Sequence, residues 1–98
     1  TIVLCDNFQH PLANKEFLCP YASVVTVPQS AMLDQIGYSL AVTAITKDAA
    51  FIDQLQDFPH LDRLNIGPLS TMSISWDQPH EGNMFEFLWK RRSLERGW

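Results

Sequence analysis

The stretch LAVTAITKDAAFIDQLQDFPHLDRLNI, residues 40–66, decides the fold, because its hydrophobic period changes twice along its length. Leu40-Ala41-Val42-Thr43-Ala44-Ile45 is an apolar, β-prone run and reads as a strand covered on both faces. Thr46 or Asp48 then offers a helix cap. Ala49, Phe51, Ile52, Leu55 and Phe58 follow at helical spacing, with Asp53, Gln54 and Asp57 on the opposite side. Pro59 terminates the helix, and Leu61 to Ile66 reads as another strand ahead of Gly67-Pro68. Strand, helix and strand in immediate succession predict parallel neighbours joined by a helical crossover.

Working outward, Thr1 to Cys5 reads as a buried strand that stops at Asp6-Asn7. Phe8 to Pro20 carries Pro11 and Pro20 and reads as a loop presenting Glu16. Residues 22–27 form a strand that ends at Pro28, whose missing N–H cannot continue a ladder. Gln29-Ser30 offers an N-cap for a short helix through Ala31, Met32, Leu33 and Ile36, and Gly37 closes it. Downstream, residues 71–76 alternate like a half-exposed strand, Asp77 to Gly82 reads as a loop, and Asn83 caps a last helix. That helix carries Met84, Phe85, Phe87, Leu88 and Trp89, with Lys90 to Arg92 at its C-terminal end, where cations complement the dipole. The fold expected is a single α/β domain over residues 1–98, a partial three-layer sandwich with a mostly parallel sheet.

Composition bounds the function. The chain has 98 residues, 46% hydrophobic and 18% charged, which is a globular composition too short for separate cofactor and catalytic domains. Seven Lys and Arg against eleven Asp and Glu give a net charge of −4, the wrong sign for nucleic acid or an anionic membrane surface. Residues 1–62 hold most of the acids, and the bases gather at Lys90, Arg91, Arg92 and Arg96, where they read as a solvated helix face. No apolar run approaches a membrane span, and Cys5 and Cys19 have neither CxxC nor Cys/His ligand spacing. A reducing, cytoplasmic setting is expected. The start at Thr1, inside a β-branched run, points to a piece of a longer chain.

The four glycines are isolated, so no phosphate loop is present, and no GxSxG elbow occurs. His10, His60 and His80 are not at ligand spacing. The densest polar cluster is Trp76-Asp77-Gln78-Pro79-His80-Glu81-Gly82-Asn83. His80 with Glu81 could share a proton, and with Asp77 they could serve a small hydrolase or metal enzyme, but a Pro-Gly turn with local backbone caps accounts for the same residues. Cys19 reads as a small buried apolar residue rather than a reactive thiol. Glu16 is either the polar tip of an apolar loop or a placed acceptor.

At Lys15-Glu16-Phe17-Leu18-Cys19-Pro20, followed by Tyr21 and a strand, the chain resembles the E-x-F-G-P segment of the aldehyde dehydrogenase superfamily. Leu18 stands at the aromatic of that motif and Cys19 at its glycine, and Trp76 to Asn83 does not repeat the family's glycine-rich stretch. The order that follows also resembles the family's: a helix ending at Gly37, then Leu40 to Thr46, which is similar to a "GL-x-x-x-x-F-T" segment, then Asp48 opening a helix and a strand ending at Asn65.

The resemblance implies the C-terminal part of a catalytic domain whose parent oxidises an aldehyde with NAD or NADP. Glu16 matches the glutamate that binds the nicotinamide ribose hydroxyls. The family's nucleophilic cysteine, general-base glutamate, oxyanion asparagine and cofactor domain precede this segment, so no catalytic residue is expected here, no cofactor is expected to stay bound, and the piece is expected to be inactive. The alternative is a stand-alone α/β interaction module. Both readings expect a homo-oligomer, because exposed apolar faces need cover.

Overall fold

The computed structural model describes residues 1–80, 82–89 and 95–97. Its order is β1 (Ile2–Cys5), β2 (Ala22–Val25), α1 (Gln29–Ile36), β3 (Ser39–Ala44), α2 (Ala49–Asp57), β4 (Leu61–Ile66) and α3 (Met84–Trp89). The chain is mixed α/β, with short strands in two small parallel sheets. It divides into two compact units, Thr1–Gly37 and Tyr38–Trp98.

In the first unit β1 and β2 pair in parallel from Ile2 opposite Ala22 to Cys5 opposite Val25. The Thr1 ammonium donates to the Pro20 carbonyl at 2.8 Å, and Ala22 N–H to the Thr1 carbonyl at 2.9 Å, which fixes that register. Burial is one-sided. Cys5 is 2% exposed, whereas Ile2 and Leu4 are 78% and 75% exposed. The expectation of a buried first strand is therefore corrected: successive side chains point to opposite faces, and only the face of Cys5 is covered within this unit. Strand β2 ends before Thr26, earlier than residues 22–27 suggested.

Helix α1 also differs from expectation at its start. Pro28 is the N-cap residue and offers no side-chain bond, while Gln29 and Ser30 lie inside the first turn. Proline's fixed φ sets the entry of the chain, and the Pro28 carbonyl accepts from Ala31 N–H at 3.0 Å. Gly37 closes the helix at φ 61° as expected.

The second unit contains the predicted strand, helix and strand. β3 and β4 pair in parallel, with Ala41 opposite Arg63, Val42 opposite Leu64 and Thr43 opposite Asn65. Of the two candidate caps for α2, Asp48 takes the role: its Oδ1 accepts from Ala50 N–H at 3.1 Å and Phe51 N–H at 3.3 Å. Thr46 supports it, its Oγ1 accepting from Asp48 N–H at 3.1 Å. Phe51 and Leu55 are the buried side of α2. With Cys5 and Ala13 of the first unit they are the buried apolar residues among those described.

Two further expectations are corrected. β3 is not covered on both faces, since Leu40 and Ala41 are exposed. Residues 71–76 form no strand. The reason is competition for backbone: Ser73 N–H turns back to the Ser70 carbonyl at 2.9 Å, and both of those residues' carbonyls are claimed by side chains of β4. Asn83 does cap α3, its Oδ1 accepting from Phe85 N–H at 2.8 Å and Glu86 N–H at 3.4 Å. The expectation of a basic C-terminal end at Lys90 to Arg92 falls outside the described residues.

Replacing Asp48 by Ala removes two capping bonds and lowers the stability of the second unit by about 1 kcal/mol. The check is a lower urea midpoint for Asp48→Ala by circular dichroism, with the slope of the transition unchanged.

Candidate functional site

Glu16 lies in a segment without regular secondary structure, residues 15–17, and is exposed. The segment is held on its C-terminal side. Phe17 packs edge-on against Tyr21 with centroids 4.6 Å apart, and Tyr21 Oη donates to the Leu12 carbonyl at 2.6 Å. Pro20 is tied to Thr1. The carboxylate of Glu16 is thus presented to solvent from a loop whose following residues are anchored, an arrangement suited to accepting from a ligand diol.

Cys19 is exposed, contrary to the expectation of a buried residue. Leu18 beside it is fully exposed as well, because residues 18–20 form a bend outside the sheet and no element of this unit covers them. The buried cysteine is Cys5.

In the second unit the sequence cluster 76–83 does come to a site, but with different residues at its centre. A cavity of about 290 Å³ is lined by Asp62, Arg63, Leu64, Asn65, Ser75, Gln78, Pro79 and Gly82. Arg63 and Asn65 share one face of β4, two residues apart. Arg63 Nη1 donates to the carbonyls of Pro79 at 3.4 Å and His80 at 3.0 Å, and Nη2 donates to the Ser73 carbonyl. The buried Asn65 donates from Nδ2 to Ser70 O at 3.3 Å and Thr43 Oγ1 at 3.4 Å. Gly82 N–H closes the loop onto the Asp62 carbonyl at 2.7 Å, and the Asp62 carboxylate accepts from Tyr38 Oη.

His80 therefore contributes its backbone oxygen to this arrangement, Asp77 is exposed in a turn, and Glu81 falls outside the described residues. Among the described residues no group of three or more His, Cys, Asp or Glu side chains is placed to hold a metal ion. No helix among them is long and apolar enough to cross a membrane. Arg63 and Asn65 were missed by motif reading. The available signal was a charged and an amide side chain alternating inside an otherwise apolar strand, Leu61-Asp62-Arg63-Leu64-Asn65-Ile66.

Comparison with known protein families, curated proteins and solved structures finds no match to this chain.

Tyr21 titrates above its ordinary value of 10.0, first through desolvation and then through the negative charge of Cys5. The folded state thus favours the neutral phenol, so this group's contribution to stability is complete below pH 10.0 and is lost as pH rises through the folded-state value. In a Tyr38→Phe background, tyrosinate absorbance gives a midpoint above that of the unfolded chain, and Cys5→Ser moves the midpoint down.

Proposed function

We propose that this chain is part of the catalytic domain of an aldehyde dehydrogenase-like oxidoreductase, with Glu16 as its contact to the ribose of NAD or NADP. The observation that carries this reading is Glu16 itself: an exposed residue on an irregular loop segment, followed by anchored aromatic residues and a parallel strand. The run of elements after it, β2, α1, β3, α2 and β4, has the order expected from the resemblance. In the finer architecture proposed, the two strand pairs belong to the mostly parallel sheet of a three-layer sandwich. The exposed Ile2, Leu4, Val24 and Leu40 are faces that further layers would cover.

A carboxylate fits the ribose role because it accepts hydrogen bonds from two neighbouring hydroxyls without supplying a competing donor. When bound, the nicotinamide cofactor supplies the hydride acceptor for oxidation of an aldehyde. What this chain's residues do is orient the ribose: Glu16 accepts, and Phe17, Tyr21 and the Thr1–Pro20 bond limit where its backbone can move. Neither Cys5 nor Cys19 takes the nucleophile's part in this reading.

A second reading, an α/β interaction module forming a homodimer, is favoured by α3. Its Met84, Phe85, Phe87, Leu88 and Trp89 are all exposed, and Phe85 stacks on Trp89 at 4.8 Å. So much clustered apolar surface favours association.

Titration calorimetry of NAD into the chain gives weak heat that disappears in Glu16→Ala. Absence of heat in the wild type, or equal heat in the variant, removes the ribose contact. A concentration-dependent dimer in sedimentation with no NAD heat selects the second reading.

A further inference from the structure

The segment that joins β1 to β2 contains no helix or strand, so its shape depends on bonds made within a few residues. Residues 7–13 form two consecutive turns. His10 N–H donates to the Asn7 carbonyl at 3.2 Å, and Ala13 N–H donates to the His10 carbonyl at 2.9 Å. Each turn is braced by the side chain of its first residue: Asn7 Oδ1 accepts from Gln9 N–H at 3.0 Å, and His10 Nδ1 accepts from Leu12 N–H at 3.1 Å. Bracing the backbone two residues on is an ordinary use of an asparagine amide. The imidazole in the second turn does the same work with a group that titrates.

Nδ1 accepts only in the neutral ring whose proton sits on Nε2. An imidazolium carries N–H on both nitrogens, so protonation of His10 sets donor against donor at Leu12, while Asn7 has no such second state. The bond reaches beyond its own turn through the other polar group of Leu12. The Leu12 carbonyl accepts from Tyr21 Oη at 2.6 Å, and Tyr21 packs edge-on against Phe17. Ala13, next in the chain, is one of the buried apolar residues.

The titratable groups on the elements around this turn are the buried Cys5 at the end of β1, Asp6 after it, Lys15 and Glu16 after the turn, Tyr21 ahead of β2, and the Thr1 ammonium. Asp6, Lys15 and Glu16 are exposed, and the ammonium is bound to the Pro20 carbonyl. Tyr21 alone among them is bonded to Leu12, and desolvation and then the charge of Cys5 raise its phenol above 10.0. It therefore stays neutral where an imidazole changes charge.

We propose that His10 is a pH-sensitive clasp: its neutral ring holds the second turn and, through Leu12, the bond to Tyr21, and its protonation opens both. The clasp is closed at high pH and opens on acidification, because the neutral ring is the accepting form. It sets how firmly residues 17–21 are supported, whatever Glu16 binds, so it stands apart from the dehydrogenase reading.

The test follows amide hydrogen exchange of the full chain, corrected for intrinsic rates, while the His10 ring signals report its protonation. Protection of Leu12 falls roughly two- to tenfold as the ring gains its proton, the net worth of one hydrogen bond, and the Tyr21 ring signals move with the same midpoint. Gln9, braced by Asn7, keeps its protection and serves as the internal reference. His10→Asn supplies an acceptor that does not titrate, so Leu12 protection becomes flat with pH. Unchanged Leu12 protection in the wild type, an equal fall at Gln9, Tyr21 signals that do not follow the ring, or the same fall in His10→Asn overturns the proposal.

Discussion

Parallel strands cannot be joined by a tight turn, and in the second unit this constraint places everything else. β3 and β4 can pair only if the chain between them crosses over, and α2 is that crossover. The helix holds its place by two means. Asp48 satisfies backbone donors at its first turn, and Phe51 and Leu55 leave water on its inner side. Burial of those two side chains contributes roughly 3–6 kcal/mol, a large share of what a small unit has available. Without the crossover, Thr43 and Asn65 would not stand side by side, and Arg63 would have no fixed position from which to reach the loop that follows β4.

That loop shows how polar side chains can replace a strand ladder. Residues 71–76 have the alternation of a strand, yet the Ser73 carbonyl within them is taken by Arg63, and the Ser70 carbonyl just before them by Asn65. A guanidinium supplies several donors from one side chain, so it can gather Ser73, Pro79 and His80 from separate parts of an irregular segment. The result is a cavity under a loop instead of an added strand. The same arrangement leaves Arg63 Nε enclosed and without a hydrogen-bond partner.

The first unit is built on a different economy. Its parallel pair is joined by a segment of turns, and its register is held by the chain's own first residue, through Thr1 to Pro20 and Ala22 to Thr1. Tyr21 links that pair to the loop through Leu12 and packs on Phe17, so the aromatic residues next to Glu16 serve as the loop's internal support. Large apolar side chains remain exposed in both units, Ile2 and Leu4 in one and Trp76 and Phe87 in the other. Such surfaces are the common ground of the two functional readings, since a further layer of the same protein and a second copy both cover them by the same hydrophobic effect.

Local rules carried far in this chain. Pro59 and Gly67-Pro68 bracket β4 at Leu61–Ile66, Asp48 opens α2, Gly37 closes α1 and Asn83 caps α3, because each of these depends on residues within a turn of one another. What depended on distant partners was not legible. Whether Ile2 and Leu4 are covered is settled by what packs on that face of the sheet, and a β-branched run reads the same whether it is or not. Cys19 became exposed because no element lies over residues 18–20, and residues 71–76 gave up their strand to donors on β4 that no local pattern announces. The sequence by itself determined the order of strands and helices and placed Glu16 on a loop ahead of β2. Only the tertiary structure decided that Arg63 and Asn65 face the 70–82 segment, since that requires the parallel register of β3 and β4 to exist before the two residues have anything to grip.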